Sequence, residues 1–352
     1  MAGQPQIYLD RNENHYGPAP ACLEILRQVG NEVLHDYTRD FQSGSYSPLS
    51  RHLGEMHGVG EKRIILGYGC EDILKQTIQH CVGPRQSMLM PGTSWWYYRA
   101  LATEAGGAAF EYSQIAGQRA YRFDVDAILS LRHEQNPGLL LIASPNNPTG
   151  NAMPREDLRR VLEHFRGLPV LLDQAYFGFD EHEVDDYGAL TDEYPDLLVL
   201  RSFSKLHALA GARIGYAIAG KALDKLALHC ARSLGYSRLN EKLAMAALGS
   251  TDYCARVRRG MAADRELFYS QLRVLEGVRV YESVCNFILA RFPETVVNAL
   301  DAELRRRGFL VRLFKEPELR DTARITLGTP EENRQLLAAM LDILPNLLTR
   351  AA

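Results

Sequence analysis

The sequence predicts an α/β protein in two parts, a large unit on a mostly parallel sheet followed by a smaller α+β unit. Three observations carry this. At 352 residues the chain is long enough for one large and one smaller core. Through the first two-thirds, short apolar runs alternate with amphipathic helical patterns, the arrangement of a parallel sheet with helices on both faces. From about Ser233 the pattern changes to long helices with a few isolated strands.

Arg63-Ile-Ile-Leu, Ser87-Met-Leu-Met, Gly138 to Ala143, Val170-Leu-Leu-Asp, Leu197 to Leu200 and Arg213 to Ile218 read as buried strands. Gly67-Tyr-Gly-Cys-Glu-Asp72 leads into a helical pattern over Ile73 to Cys81. Pro154 to Phe165 has apolar residues at Leu158, Val161, Leu162 and Phe165, one buried helical face, and Pro154 suits the first turn. Beyond Ser233, Leu239 to Leu248 and Ala255 to Val274 read as helices. They are followed by a strand at Asn286 to Phe292, a helix at Glu294 to Arg307, strands at Phe309 to Leu313 and Arg324 to Leu327, and a last helix from Pro330 to Leu344.

Composition excludes several classes. The net charge of −3 gives no reason to expect a nucleic acid or an anionic membrane as partner. The six cysteines show no CxxC pair and no zinc-like spacing, so they read as reduced thiols of a cytoplasmic protein, with no metal site. The first residues, MAGQPQIYLDRNEN, show no signal peptide, and no apolar run is long enough to span a bilayer.

The most informative segment is Arg201-Ser-Phe-Ser-Lys-Leu-His-Ala-Leu-Ala-Gly-Ala-Arg213. It sets Lys205 just past a buried strand, where open α/β sheets bind ligands. An amine there can form a Schiff base with a carbonyl compound. Ser202, Ser204 and Arg213 add two hydroxyls and a cation suited to a phosphate dianion. Together they describe a site for a phosphorylated aldehyde such as pyridoxal 5′-phosphate. Asp173 ends another buried strand and needs a cation, which a pyridinium nitrogen would supply; read alone, it could equally cap the next segment. Tyr176 and Asn147, the latter held in Ser144-Pro-Asn-Asn-Pro-Thr-Gly150, could bind a ring oxygen, or serve as a core tyrosine and a plain turn. The glycine turn before Cys70 and Glu71 opens a helix whose free N–H groups favour a phosphate. Thr93-Ser-Trp-Trp-Tyr-Tyr98 could stack a flat ring or fill a core, and Arg324 offers a planar fork for an anion or a surface ion pair.

These segments, in this order, resemble fold-type I pyridoxal-phosphate aminotransferases, and within them the histidinol-phosphate aminotransferase group. The resemblance runs from Asn12-Glu-Asn-His-Tyr-Gly-Pro18 to Arg324-Ile-Thr-Leu-Gly-Thr329. It implies a seven-stranded large-domain sheet, with residues 1–30 as an N-terminal arm, 31–235 as the cofactor domain and 236–352 as the small domain. Lys205 would be the Schiff-base lysine and proton shuttle, Asp173 the partner of the ring nitrogen, and Tyr176 and Asn147 those of the ring oxygen. The backbone of Cys70 and Glu71, with Ser202, Ser204 and Arg213, would hold the phosphate, and Trp95 would stack on the ring. Arg324, Arg312 and Tyr16 would meet the substrate. Tyr37 would reach the phosphate of a partner subunit, making the protein a homodimer. The implied activity is ping-pong amino transfer between an amino acid or amino phosphate and a 2-oxo acid. A decarboxylase of the threonine-phosphate type and an oxidase share most of these residues and stay open, and a non-catalytic binding module is the remaining alternative. Three departures from the family pattern stand out. Trp95 stands in place of a tyrosine, Gln174 in place of a glutamate, and the stretch Tyr37 to Leu49 is long.

Overall fold

The computed structural model describes residues 6–38, 47–135, 137–232 and 234–351. Along the chain its strands are β1 (Ile7–Leu9), β2 (Ile64–Gly67), β3 (Ser87–Pro91), β4 (Ala108–Tyr112), β5 (Gln114–Ala116), β6 (Tyr121–Phe123) and β7 (Pro137–Ala143). They continue with β8 (Val170–Gln174), β9 (Leu197–Ser202), β10 (Gly215–Ala219), β11 (Arg279–Tyr281), β12 (Phe287–Arg291), β13 (Phe309–Leu313) and β14 (Thr322–Thr326). A seven-stranded sheet runs β2-β10-β9-β8-β7-β3-β4, parallel except for β10, which is antiparallel to both neighbours. The mostly parallel sheet expected from sequence is therefore present.

Its central strands are buried along nearly their whole length because helices cover both faces. Leu140, Ile142, Leu172 and Val199 face one core, while Leu139, Leu141, Leu171 and Leu200 face the other. The helix Arg155–His164 shows how a covering layer is made. It buries Leu158, Val161 and Leu162 and leaves its arginines in solvent, each buried side chain contributing roughly 1.5–3 kcal/mol.

Register lines up the functional edge. Ala143 pairs with Asp173 and Asp173 with Leu200, while Ser202 and Gly67 both pair with Gly215. The carboxyl ends of β2, β7, β8 and β9 and the start of β10 thus share one edge of the sheet. The second sheet, β1-β13-β14-β12-β11, carries its own core around Phe287, Ile325 and Met340.

Four differences from the sequence expectations have physical causes. β1, β4, β5, β6 and β11 were not foreseen; all but β4 are three residues long, and β4 is only partly buried. β10 begins at Gly215 because Arg213 is left-handed (φ 55°). The last helix runs through Pro345 to Ala351, since Leu347 and Leu348 still pack on the small core and offset the lost hydrogen bond. The helix Arg238–Leu248, assigned from sequence to the smaller unit, buries Leu243, Ala244 and Ala247 in the core of the larger one. We therefore propose a division after Leu248 rather than after residue 235.

Candidate active site

A cleft of about 510 Å³ opens at the shared strand edge, between the sheet and the second unit. Its lining includes Cys70, Glu71, Trp95, Asn147, Asp173, Tyr176, Ser202, Ser204, Lys205, Arg213, Arg312 and Arg324, twelve of the residues expected from sequence. A separate apolar cavity of about 290 Å³ behind β2 contains none of them.

Lys205 follows β9. Its Nζ donates to the backbone carbonyls of Asn12 (3.1 Å) and Arg11 (3.3 Å) and lies 5.5 Å from the centre of the Tyr176 ring. Burial lowers its pKa to about 8, helped by Arg324 and Arg213 and opposed by Glu13 and Cys70. Such an amine is largely neutral at mildly alkaline pH, as a nucleophile or proton acceptor requires.

Asp173 is the penultimate residue of β8 and is 5 % exposed. Its Oδ2 accepts from the Tyr98 hydroxyl (2.8 Å) and its Oδ1 from the Ala175 amide (2.9 Å). Burial raises its pKa against the pull of these two donors. Among the described residues no cation forms a salt bridge with it. A buried carboxylate satisfied only by neutral donors fits a cationic ring nitrogen.

Gly69 (φ 82°) turns the chain into the helix Cys70–Cys81. A Cβ here would lie 2.6 Å from Arg213 Nη2, so only glycine lets the helix start reach the guanidinium. Arg213 itself is held left-handed, and its Nη2 donates to Glu71 Oε2 at 3.3 Å. Ser202 Oγ accepts from the Ser204 amide (3.0 Å). First-turn amides have no acceptor within their own helix, and Cys70 and Glu71 line the same cleft as Arg213, Ser202 and Ser204. This cradle fits a phosphate. The Cys70 thiol donates to the carbonyl of Arg201 (3.0 Å), and burial pushes its pKa up, which keeps it protonated and inert.

Arg324, on β14, is the opposite case to Asp173. It is 8 % exposed and donates to Asn147 Oδ1 and to the carbonyl of Asp10, while its Nε has no acceptor among the described residues. Burial, helped by Arg312 and opposed by Tyr176 and Asp10, lowers its pKa to about 10. Arg312 pairs with Arg324 across the β13–β14 ladder. Like charges directly opposite destabilise a sheet unless an anion lies between them. The two arginines therefore form a ready anion site.

Two expected residues lie elsewhere. Tyr37 is 68 % exposed and does not line this cleft. Tyr16 is also absent from the lining. A Cβ on Gly260 would lie 2.4 Å from its hydroxyl, so the ring is turned into the long helix Thr251–Leu272, and burial and Asp264 raise its pKa to about 12. As a residue facing the cleft of its own chain, Tyr16 is corrected. Of the long stretch Tyr37 to Leu49, residues 39–46 lie outside the described residues. Gln174 has a clear explanation: its Oε1 accepts from Arg201 Nε (2.7 Å), and Asp185 supplies the carboxylate that pairs with Arg201 (3.0 Å).

Sequence reasoning missed two residues. Tyr98 lies one helical turn beyond Trp95, and that i, i+3 spacing could have placed both on one face. Asn12 donates from Nδ2 to the Tyr176 hydroxyl (2.8 Å), a contact between distant parts of the chain that no local pattern announces.

Comparison with known proteins shows the family and the fold. Residues 4–340 match the family model for aminotransferase class I and II. Histidinol-phosphate aminotransferase 1 of Nostoc sp. is 30 % identical over 97 % of this chain and 92 % of its own. Histidinol-phosphate aminotransferase of Roseiflexus castenholzii is 31 % identical over 96 % and 89 %. The crystal structure of histidinol-phosphate aminotransferase from Sinorhizobium meliloti, in complex with pyridoxal-5′-phosphate, superposes with a TM-score of 0.84 at 24 % identity, covering 98 % of this chain and 92 % of that one. That likeness establishes the fold-type I architecture. The chain belongs to the class I and II aminotransferases.

Proposed function

We propose that this aminotransferase moves an amino group between an amino acid, or an amino phosphate such as histidinol phosphate, and a 2-oxo acid. The observation that carries the proposal is Arg324, a buried guanidinium with only neutral oxygens as partners, set beside Arg312 in the cleft of Lys205. A substrate carboxylate or phosphate is the counter-ion such a fork selects.

The residues fit pyridoxal 5′-phosphate as follows. Lys205 would hold the aldehyde carbon and Asp173 the ring nitrogen, with Tyr176 and Asn147 at the ring oxygen and Trp95 on the ring face. Ser202, Ser204, Arg213 and the amides of Cys70 and Glu71 would hold the phosphate. The bound cofactor supplies an aldehyde for the amino group and an electron-poor ring that accepts the electrons of a broken Cα–H bond. Lys205 takes and returns the Cα proton, for which its lowered pKa suits it. Asp173 keeps a proton at the ring nitrogen, and Arg324 and Arg312 orient the substrate by its anionic end.

A homodimer also belongs to this reading. Tyr37, exposed and outside its own cleft, is free to reach the phosphate site of a second subunit. All six cysteines are unbridged, which supports a reducing compartment such as the cytoplasm. No described helix is long and apolar enough to cross a membrane.

A half-reaction screen tests the substrate class. Holoprotein mixed with single amino acids and amino phosphates should lose its visible cofactor band only with a true donor. A ketone or aldehyde product should form without release of carbon dioxide. Lys205→Ala should abolish turnover, and normal activity in that variant would end the proposal. Carbon dioxide release would instead make the protein a decarboxylase.

A further inference from the structure

Resting on that reading, we propose that Thr326 and Asn12 form a relay that fixes the direction of the Tyr176 hydroxyl proton, making Tyr176 an obligatory donor into the cleft.

The relay follows from hydrogen-bond bookkeeping. The Asn12 backbone N–H donates to Thr326 Oγ1 at 2.9 Å. Thr326 has one hydroxyl proton, and it goes to Asn12 Oδ1 at 3.1 Å. The carbonyl side of the Asn12 amide is thereby assigned to Thr326, so its NH₂ side faces Tyr176 and donates to the phenol oxygen at 2.8 Å. A phenol that accepts from Asn12 cannot also donate to it. Its proton is left for the cleft, which Tyr176 lines. All three residues are buried, with Thr326 at 0 %, Asn12 at 1 % and Tyr176 at 7 % exposure, so water does not compete for these bonds.

The backbone supports the same reading. Asn12 is left-handed (φ 54°), a conformation that asparagine tolerates better than most residues. Its carbonyl accepts from Asn286 Nδ2 (3.0 Å) as well as from Lys205 Nζ. One residue of the N-terminal segment is therefore tied to the second sheet, to the reactive lysine and to the phenol.

The consequence lies in proton affinity. A donor to the ring oxygen stabilises its ionised form, so the bound cofactor releases its proton at lower pH. Thr326→Val removes the hydroxyl at nearly constant shape and frees the amide to turn over. Asn12→Asp replaces the donor by an acceptor and draws the phenol proton away from the cleft, while remaining compatible with the left-handed backbone.

The test is the pH midpoint of the visible absorbance of bound pyridoxal phosphate. Thr326→Val and Asn12→Asp should each raise it by about one pH unit, a tenfold gain in proton affinity, and Thr326→Ser should keep it at the wild-type value. In a Tyr176→Phe background Thr326→Val should not shift it further, and Asn12→Asp should shift it only by the direct effect of its added charge, because the relay acts only through the phenol. That comparison also removes the direct effect of the charge added by Asn12→Asp. The other titratable groups facing Tyr176, namely Arg324, Asp173, Cys285, Tyr98 and Lys205, are the same in every variant. An unchanged midpoint in Thr326→Val, or an equal shift with Tyr176 absent, overturns the relay; should that variant not fold, Asn12→Asp decides on the same terms. Wild-type protein that forms no visible band would defeat the function reading instead.

Discussion

Lys205, Asp173 and Arg324 are three ionisable side chains in one cleft, and burial disfavours the charged form of each. The amine gives the sharpest prediction. It is charged below its shifted pKa and neutral above it, so capture of pyridoxal phosphate by the apoprotein should speed up as pH rises towards about 8 and level off beyond. A pH–rate profile of reconstitution that keeps climbing beyond pH 10, as an ordinary lysine would, contradicts this. Asp173 shows what sequence could and could not reveal. Its place at the end of an apolar strand was legible, because four buried residues in a row announce a covered strand. Its hydrogen bond to Tyr98 was not, because the i, i+3 spacing sets Tyr98 on the face of Trp95 without naming the carboxylate on a distant strand that it reaches.

At the level of the element, the cross-strand pair of Arg312 and Arg324 is costly without an anion. Arg312→Leu should leave the apoprotein at least as stable, by up to about 1 kcal/mol, while raising KM for an anionic substrate roughly tenfold or more. Thermal melts and steady-state kinetics check the two halves, and a large fall in stability with KM unchanged would show that Arg312 is structural. Elements with a strong period were read correctly, among them the helix Arg155–His164 and the central strands of the large sheet. The three-residue strands β5 and β6 were beyond such reading, since three residues are too few to display a period. The boundary helix Arg238–Leu248 was assigned by its neighbours in sequence, whereas its burial is set by Leu243, Ala244 and Ala247 against the larger core.

At the level of the whole molecule, the exposed Tyr37 predicts that activity requires two chains. Light scattering should give twice the chain mass. Tyr37→Ala should weaken cofactor binding, and mixing it with Lys205→Ala should restore activity, since a hybrid dimer holds one site with both residues intact. A monomer of full activity contradicts this. Quaternary placement of this kind is illegible from periodicity, and Tyr37 was named only through its family resemblance. Another long-range feature has a bearing on biogenesis. β1, almost the first segment made, is an edge strand held in place by its parallel neighbour β13, almost the last. Asn12, three residues beyond β1, takes its position from that pairing. A nascent polypeptide on the ribosome could form most of the large sheet early, yet would be unable to finish its catalytic pocket until translation had passed Thr326. On the proposed reading, capture of pyridoxal phosphate is thus deferred to the end of synthesis.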